Sequence, residues 1–328
     1  MKPQLLQTTC NNFSGLVTFP GADAAKDNIY LLARKQFQVN SRLESAIIHL
    51  CAQARYILYV NGELLGQGPV IGSDLTSYYD SYEIADKLTE GTNFLALEIH
   101  YPGNHFRTCS PGIPGFQCGI TADIDWRDDD WQICLDPSRI DDAKELTFQA
   151  GYTVYRDLRD VPDNWQRFAD NYPGWTTAII KEATGFKLVP RDIPPLTRDI
   201  VNPAKLVGSG TVPPETGDSR QADFAALIDA ESQTPDASVF KQDSGEIKTF
   251  ADGRGVFLTY DFAREVYGSI IVRLEAPAGT VLDIVHGEML EDDRLDAYYP
   301  FGERRPRAKT TSNGLRFADR HILAEGTN

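Results

Sequence analysis

Residues 55–69 read RYILYVNGELLGQGP, and this stretch decides the fold class. Tyr56 to Val60 is a short run of aromatic and branched residues, and Asn61-Gly62 after it is a strong hairpin signal because both residues tolerate positive φ. A second strand begins near Leu64. Working outward, Lys35 to Val39 and Ala46 to Cys51 are further strand-like runs, and Asn93 to Tyr101 (NFLALEIHY) alternates strictly. Leu95, Leu97, Ile99 and Tyr101 point one way, and Phe94, Ala96, Glu98 and His100 the other, so one face is core and the other mixed. Toward the C-terminal end, Val256 to Tyr260, Ser269 to Leu274 and Val281 to Val285 read as strands, with Pro277-Ala278-Gly279 as the turn between the last two.

Between these β segments the chain is punctuated differently. Residues 101–119 (YPGNHFRTCSPGIPGFQCG) are dense in Gly and Pro and lack periodicity, which predicts a long ordered loop. Residues 190–200 (PRDIPPLTRDI) run extended by the same logic, because each proline pushes its predecessor out of the helical region. The polar, Pro-rich composition lasts to residue 245, interrupted only by Phe224, Leu227 and Ile228 at helical spacing. The expected organisation is all-β: two β-sandwich, jelly-roll-like domains at 1–195 and 246–328, joined by a Pro-rich linker at 196–245 with one short helix. At 328 residues, two domains of ordinary size are what one chain of this length usually builds.

Composition narrows the function classes. The 14 Tyr and 16 Phe favour strands, and the net charge of −15 makes nucleic acid or an anionic membrane surface a poor partner. A neutral sugar carries no such penalty. Met1 to Leu6 is followed by Gln7, Thr8 and Thr9 rather than an apolar core, so the expectation is a cytoplasmic protein without a secretory signal. Cys10, Cys51, Cys109, Cys118 and Cys134 are odd in number and lack CxxC spacing, which suits reduced thiols.

Three stretches, taken in order, are similar to the N-terminal half of bacterial α-L-rhamnosidases, glycoside hydrolase family 78. The first is RYILYVNGELLGQGP (55–69) with YDSYEIADKLTEGTN (79–93), which resembles the family's hairpin and the strand entry after it. The second is Trp175 with LVPRDIPPL (188–196), similar to the exit from that sandwich. The third is YDFAREVYGSIIVRLEAPAGTVLDIVHGEML (260–290) with FADRHILAE (317–325), which resembles the β domain preceding the catalytic barrel; Ala263 stands where members commonly carry Gly. The resemblance implies a non-catalytic N-terminal portion of an enzyme that hydrolyses terminal α-L-rhamnose with inversion. It also implies an (α/α)6 barrel on the same polypeptide, absent from these residues, that holds both catalytic carboxylates.

No catalytic residue is assigned here. Glu288, Glu291, Asp292, Asp293 and Asp296 cluster, but they fit a solvated turn facing a barrel as well as an acid–base pair. The candidate carbohydrate site is His100, Tyr101, His105, Trp126 and Trp131, since a sugar stacks its C–H face on aromatic rings and offers hydroxyls to polar side chains. Packing of a long loop on the sandwich explains the same residues. No cofactor is expected; calcium is implied only by related rhamnose-binding sandwiches, and no acidic stretch matches a 12-residue calcium loop. The partners implied are a rhamnose-containing carbohydrate and the barrel. A free-standing carbohydrate-binding module and a structural adaptor for the barrel remain as alternatives. Two local expectations follow as well: Arg191 pairs with its neighbour Asp192, and Phe317, Ile322 and Leu323 stay only partly covered.

Overall fold

The computed structural model describes residues 13–24, 26–53, 55–73, 75–103, 112–140, 143, 145–147, 151–182, 187–214, 233–287, 289–291, 294–296 and 318–328. These fall into two compact units. The first takes the described residues up to Pro137 with Thr147–Gly151 and Val161–Thr197; the second takes Ser138–Leu146, Tyr152–Asp160 and those from Arg198 onward.

In chain order the strands up to the first return are β1 (Leu16–Thr18), β2 (Ile29–Val39), β3 (Ile47–Gln53), β4 (Arg55–Val60), β5 (Glu63–Gly68), β6 (Thr76–Glu83), β7 (Gly91–Tyr101), β8 (Gly115–Thr121) and β9 (Gln132–Leu135). Next come β10 (Glu145–Thr147), β11 (Gly151–Tyr152) and β12 (Tyr155–Asp157), then β13 (Thr176–Thr177), β14 (Ile179–Lys181) and β15 (Lys187–Pro190). The first unit holds two six-stranded sheets, ordered β14-β1-β8-β3-β6-β15 and β13-β9-β2-β7-β4-β5. Leu31, Ala33 and Phe37 of one sheet and Ile48, Leu50 and Phe116 of the other share one buried cluster, which makes the unit a β-sandwich.

The hairpin at its centre forms as its residues dictate. Asn61 and Gly62 both hold positive φ (51° and 79°), the conformation a two-residue turn of this hand needs. The Asn61 side chain then ties the turn down, donating to the Lys87 carbonyl (2.8 Å) and accepting from the Phe94 amide (2.9 Å). β7 keeps its alternation: Leu95, Leu97, Ile99 and Tyr101 are buried, and Phe94, Glu98 and His100 are half-buried. The expected loop at 101–119 is shorter than its composition suggests, because 115–121 is β8, paired antiparallel along β3; residues 104–111 lie outside the described set. Cys51, Cys118 and Cys134 are buried free thiols.

The second unit contains β16 (Lys205–Val212), β17 (Thr234–Pro235), β18 (Phe240–Lys241), β19 (Glu246–Ile247), β20 (Gly255–Asp261), β21 (Glu275–Ala276), β22 (Val281–Val285), β23 (Met289–Glu291), β24 (Arg294–Asp296), β25 (Ala318–Ile322) and β26 (Gly326–Thr327). Two of its sheets have three strands, β17-β16-β20 and β12-β25-β22. The segment 196–245, expected as linker, thus supplies β16, whose two glycines and single β-branched run hid a strand that pairs along β20. The expected helix near Phe224 lies outside the described residues. Of Ser269 to Leu274, expected as a strand, only Leu274 is paired, by main-chain hydrogen bonds with Asn328; Ser269 to Arg273 join no sheet among the described residues. Ile322 and Leu323 are 0% and 1% exposed rather than partly covered, because β25 is the middle strand of its sheet; Phe317, Tyr298, Tyr299 and Phe301 lie outside the described residues. Arg320 on β25 is buried and forks onto both oxygens of Asp283 (2.7 Å each). Ala263 holds φ +55°, a conformation that favours glycine.

Candidate functional site

The parity of β7 separates the first two candidates. Tyr101 points into the core, 3% exposed, and its hydroxyl donates to the Gly112 carbonyl (2.9 Å). His100 points to the opposite face, where its ring stacks on Tyr30 at 4.1 Å and its Nε2 meets the Asn28 side-chain oxygen (3.0 Å). Tyr30 covers one face of the His100 ring. His105 lies outside the described residues.

Trp126 and Trp131 serve the other face of β2. Trp131 is 1% exposed and meets Phe116 edge-on (4.8 Å), and Trp126 meets Phe37 edge-on (5.7 Å). Between them lies Lys35, itself 1% exposed, with Nζ 4.6 Å from the Trp126 ring centre and 5.9 Å from that of Trp131. Lys35 donates to the Arg127 carbonyl (2.6 Å) and to the Asp130 carboxylate. Burial lowers its pKa to about 8, opposed by the carboxylates of Asp128 and Asp129. Trp126 donates to Asp128 (2.9 Å), while the buried Trp131 Nε1 has no hydrogen-bond partner among the described residues. Both indoles therefore hold a buried ammonium and staple loop 126–131 to the sandwich. Lys35 lies five residues along β2 from Tyr30, roughly 16 Å at strand rise, and on the other face. The structure brings Trp126 and Trp131 together and does not bring His100 or Tyr101 to them.

Two polar clusters went unread in the sequence. The Asp80 carboxylate, buried on β6, accepts from the Tyr56 hydroxyl and from Arg191, and Tyr56 also meets the Tyr82 hydroxyl at 2.9 Å. A side chain at Gly68 would collide with Asp80 and Tyr56, so only glycine fits beside them. Burial drives the Tyr56 pKa well above its ordinary value. Arg191, directly after β15, thus pairs with Asp80 on the adjacent strand β6 of the same sheet, not with its neighbour Asp192. In the second cluster the Arg34 guanidinium lies between Phe168 (4.2 Å) and Trp175 (3.9 Å) and donates to Asp170, which also accepts from Trp175 Nε1 (2.8 Å). Each carboxylate accepts from two or more donors, which fixes its orientation. Asp80 sits at a core-parity position of β6, opposite the buried Leu50, whereas Arg34 lies on the face of β2 away from Leu31, Ala33 and Phe37. Among the described residues no group of three or more His, Cys, Asp or Glu could hold a metal ion. No described helix is long and apolar enough to cross a membrane.

No protein-family model and no curated protein matches the chain. Solved structures do. A GH78 family rhamnosidase of Bacillus sp. GL1 is 27% identical over 61% of this chain and 22% of its own, with a TM-score of 0.55. The α-L-rhamnosidase from Dictyoglumus thermophilum covers 96% of this chain and 32% of its own at 17% identity and a TM-score of 0.62. That from Aspergillus terreus covers the same shares at 16% identity and 0.60. The last two likenesses are of fold alone. The chain spans between about a fifth and a third of the length of these matches. Its all-β architecture is the one these α-L-rhamnosidases contain, in agreement with the ordered motifs at 55–93, 175–196 and 260–325.

Proposed function

We propose that this chain is the non-catalytic N-terminal portion of a family 78 α-L-rhamnosidase-type glycoside hydrolase, which positions a catalytic barrel carried by the rest of the polypeptide. The observation that carries this reading is the match of 96% of the chain to 32% of an α-L-rhamnosidase. Inverting hydrolysis needs an acid and a base about 6.5–9.5 Å apart across the glycosidic bond, and on this reading both come from outside residues 1–328. The partners are then the barrel and a rhamnose-containing glycoside. Closed clusters such as Asp80–Tyr56–Arg191 and Lys35–Trp126–Trp131 fit a rigid support better than a reactive centre. The test is hydrolysis of p-nitrophenyl α-L-rhamnoside. The 328-residue chain is expected to give no turnover above background, and the polypeptide extended by the codons after Asn328 is expected to be active. Turnover by the 328-residue chain that vanishes in Glu288→Gln overturns the reading, as does a stop codon directly after Asn328.

A further inference from the structure

Residues 262–273 (FAREVYGSIIVR) are exposed along their whole length. Tyr267 is 90% exposed and Ile271 83%, with Ile270 and Val272 beside them at 54% and 44%. β-branched residues in this density form strands when a partner exists, yet residues 267–273 join no ladder among the described residues. The residues directly after them do. Leu274 and Asn328 exchange both main-chain hydrogen bonds (3.2 and 2.9 Å), and the ladder continues through Glu275↔Thr327 and Ala276↔Gly326.

That register carries a direction. The ladder is antiparallel, so each step back from Leu274 is matched by one step forward from Asn328. Doubly bonded pairs recur at every second residue of an antiparallel ladder, which makes Val272 and then Ile270 the next positions to exchange both bonds. We propose that residues 267–273 are the open half of this ladder and that their occupant is the polypeptide continuing past Asn328, paired antiparallel in the same register. The proposal rests on the reading that the chain is part of a longer hydrolase. A second copy of the chain is the competing occupant, since an exposed apolar edge invites pairing in trans. A segment already tethered and aimed by the ladder acts at an effective concentration on the order of mM, well above that of a free copy in dilute solution.

Hydrogen exchange on the 328-residue chain and on the chain extended by its following codons tests this. The amides of Ile270 and Val272 are expected to exchange at least about 100-fold more slowly in the longer polypeptide, as ladder amides do. Val272→Pro removes one donor, so it is expected to lower the Tm of the longer polypeptide and leave that of the 328-residue chain unchanged. Equal exchange in both chains overturns the proposal, as does protection already present in the 328-residue monomer. Protection that rises with the concentration of the 328-residue chain assigns the edge to a second copy instead. A longer polypeptide that hydrolyses the rhamnoside while these amides stay unprotected leaves the functional reading intact and removes this proposal alone.

Discussion

Two stretches of this molecule read almost alike and end up opposite. NFLALEIHY (93–101) is bonded on both sides, to β2 and to β4, and buries every second residue. GSIIVRL (268–274) has more β-branched residues, and its apolar side chains lie in the open from Ile270 to Val272. Propensity therefore does not separate them; the presence of a neighbouring strand does. The first has a partner strand along each edge, and the second is paired only from Leu274 onward.

The contrast predicts unequal sensitivities. The largest belongs to the closed sandwich: Asp80→Ala leaves Arg191 and the Tyr56 hydroxyl buried without their anion, at a cost of about 3–5 kcal/mol, read as a shift of the denaturant midpoint. A loss under 1 kcal/mol would mean that water reaches the cluster and the sandwich is open at that end. Leu97→Ala, on a fully buried position of β7, is expected to cost about 2–5 kcal/mol.

The third effect is on pH dependence. Burial, helped by Arg156 and Arg139, lowers the His321 pKa to about 4. In the unfolded chain the ring takes up its proton near 6.5, so between these values the unfolded state holds more protons. Stability from this group is full above pH ~6.5 and is lost as pH falls toward about 4. Urea melts of the second unit should show that slope, and His321→Gln should flatten it; an unchanged slope would place the titrating group elsewhere. A smaller change is expected from Ala263→Gly, which relieves a left-handed alanine by about 0.5–1 kcal/mol and raises the Tm of the same unit by about 1–4 °C. Smallest of all, Ile271→Ala should move the 328-residue chain by less than about 0.5 kcal/mol. A cost near that of Leu97→Ala would erase the contrast between the two stretches.

What was legible followed locality. The hairpin at Asn61-Gly62, the alternation of β7 and the turn before β22 are all written within ten residues, and they appear as expected. The strand β16 was not legible, because KLVGSGTV reads as loop until β20 is placed beside it. Arg191 was matched to the acid next door, whereas its partner lies 111 residues away. The alternation already contained the separation of two of the candidate residues: His100 and Tyr101 are consecutive strand residues and must face apart. That Trp126 and Trp131 close over Lys35 depends on a lysine at a core-parity position of β2, which marks a buried partner more strongly than it marks a ligand.

The three-stranded sheet β12-β25-β22 draws its first strand from residues 155–157 and its middle strand from 318–322. On a ribosome adding about 5–20 residues per second, β12 leaves the tunnel roughly 10 to 30 s before the strand it pairs with has been made. The chain in between carries β13, β14 and β15, which complete the sandwich, and then β16 to β24 of the second unit. Synthesis therefore imposes an order: every strand of the sandwich has been made while Tyr155, Arg156 and Asp157 still lack their partner, and the sheet β12-β25-β22 closes only after translation has passed residue 322.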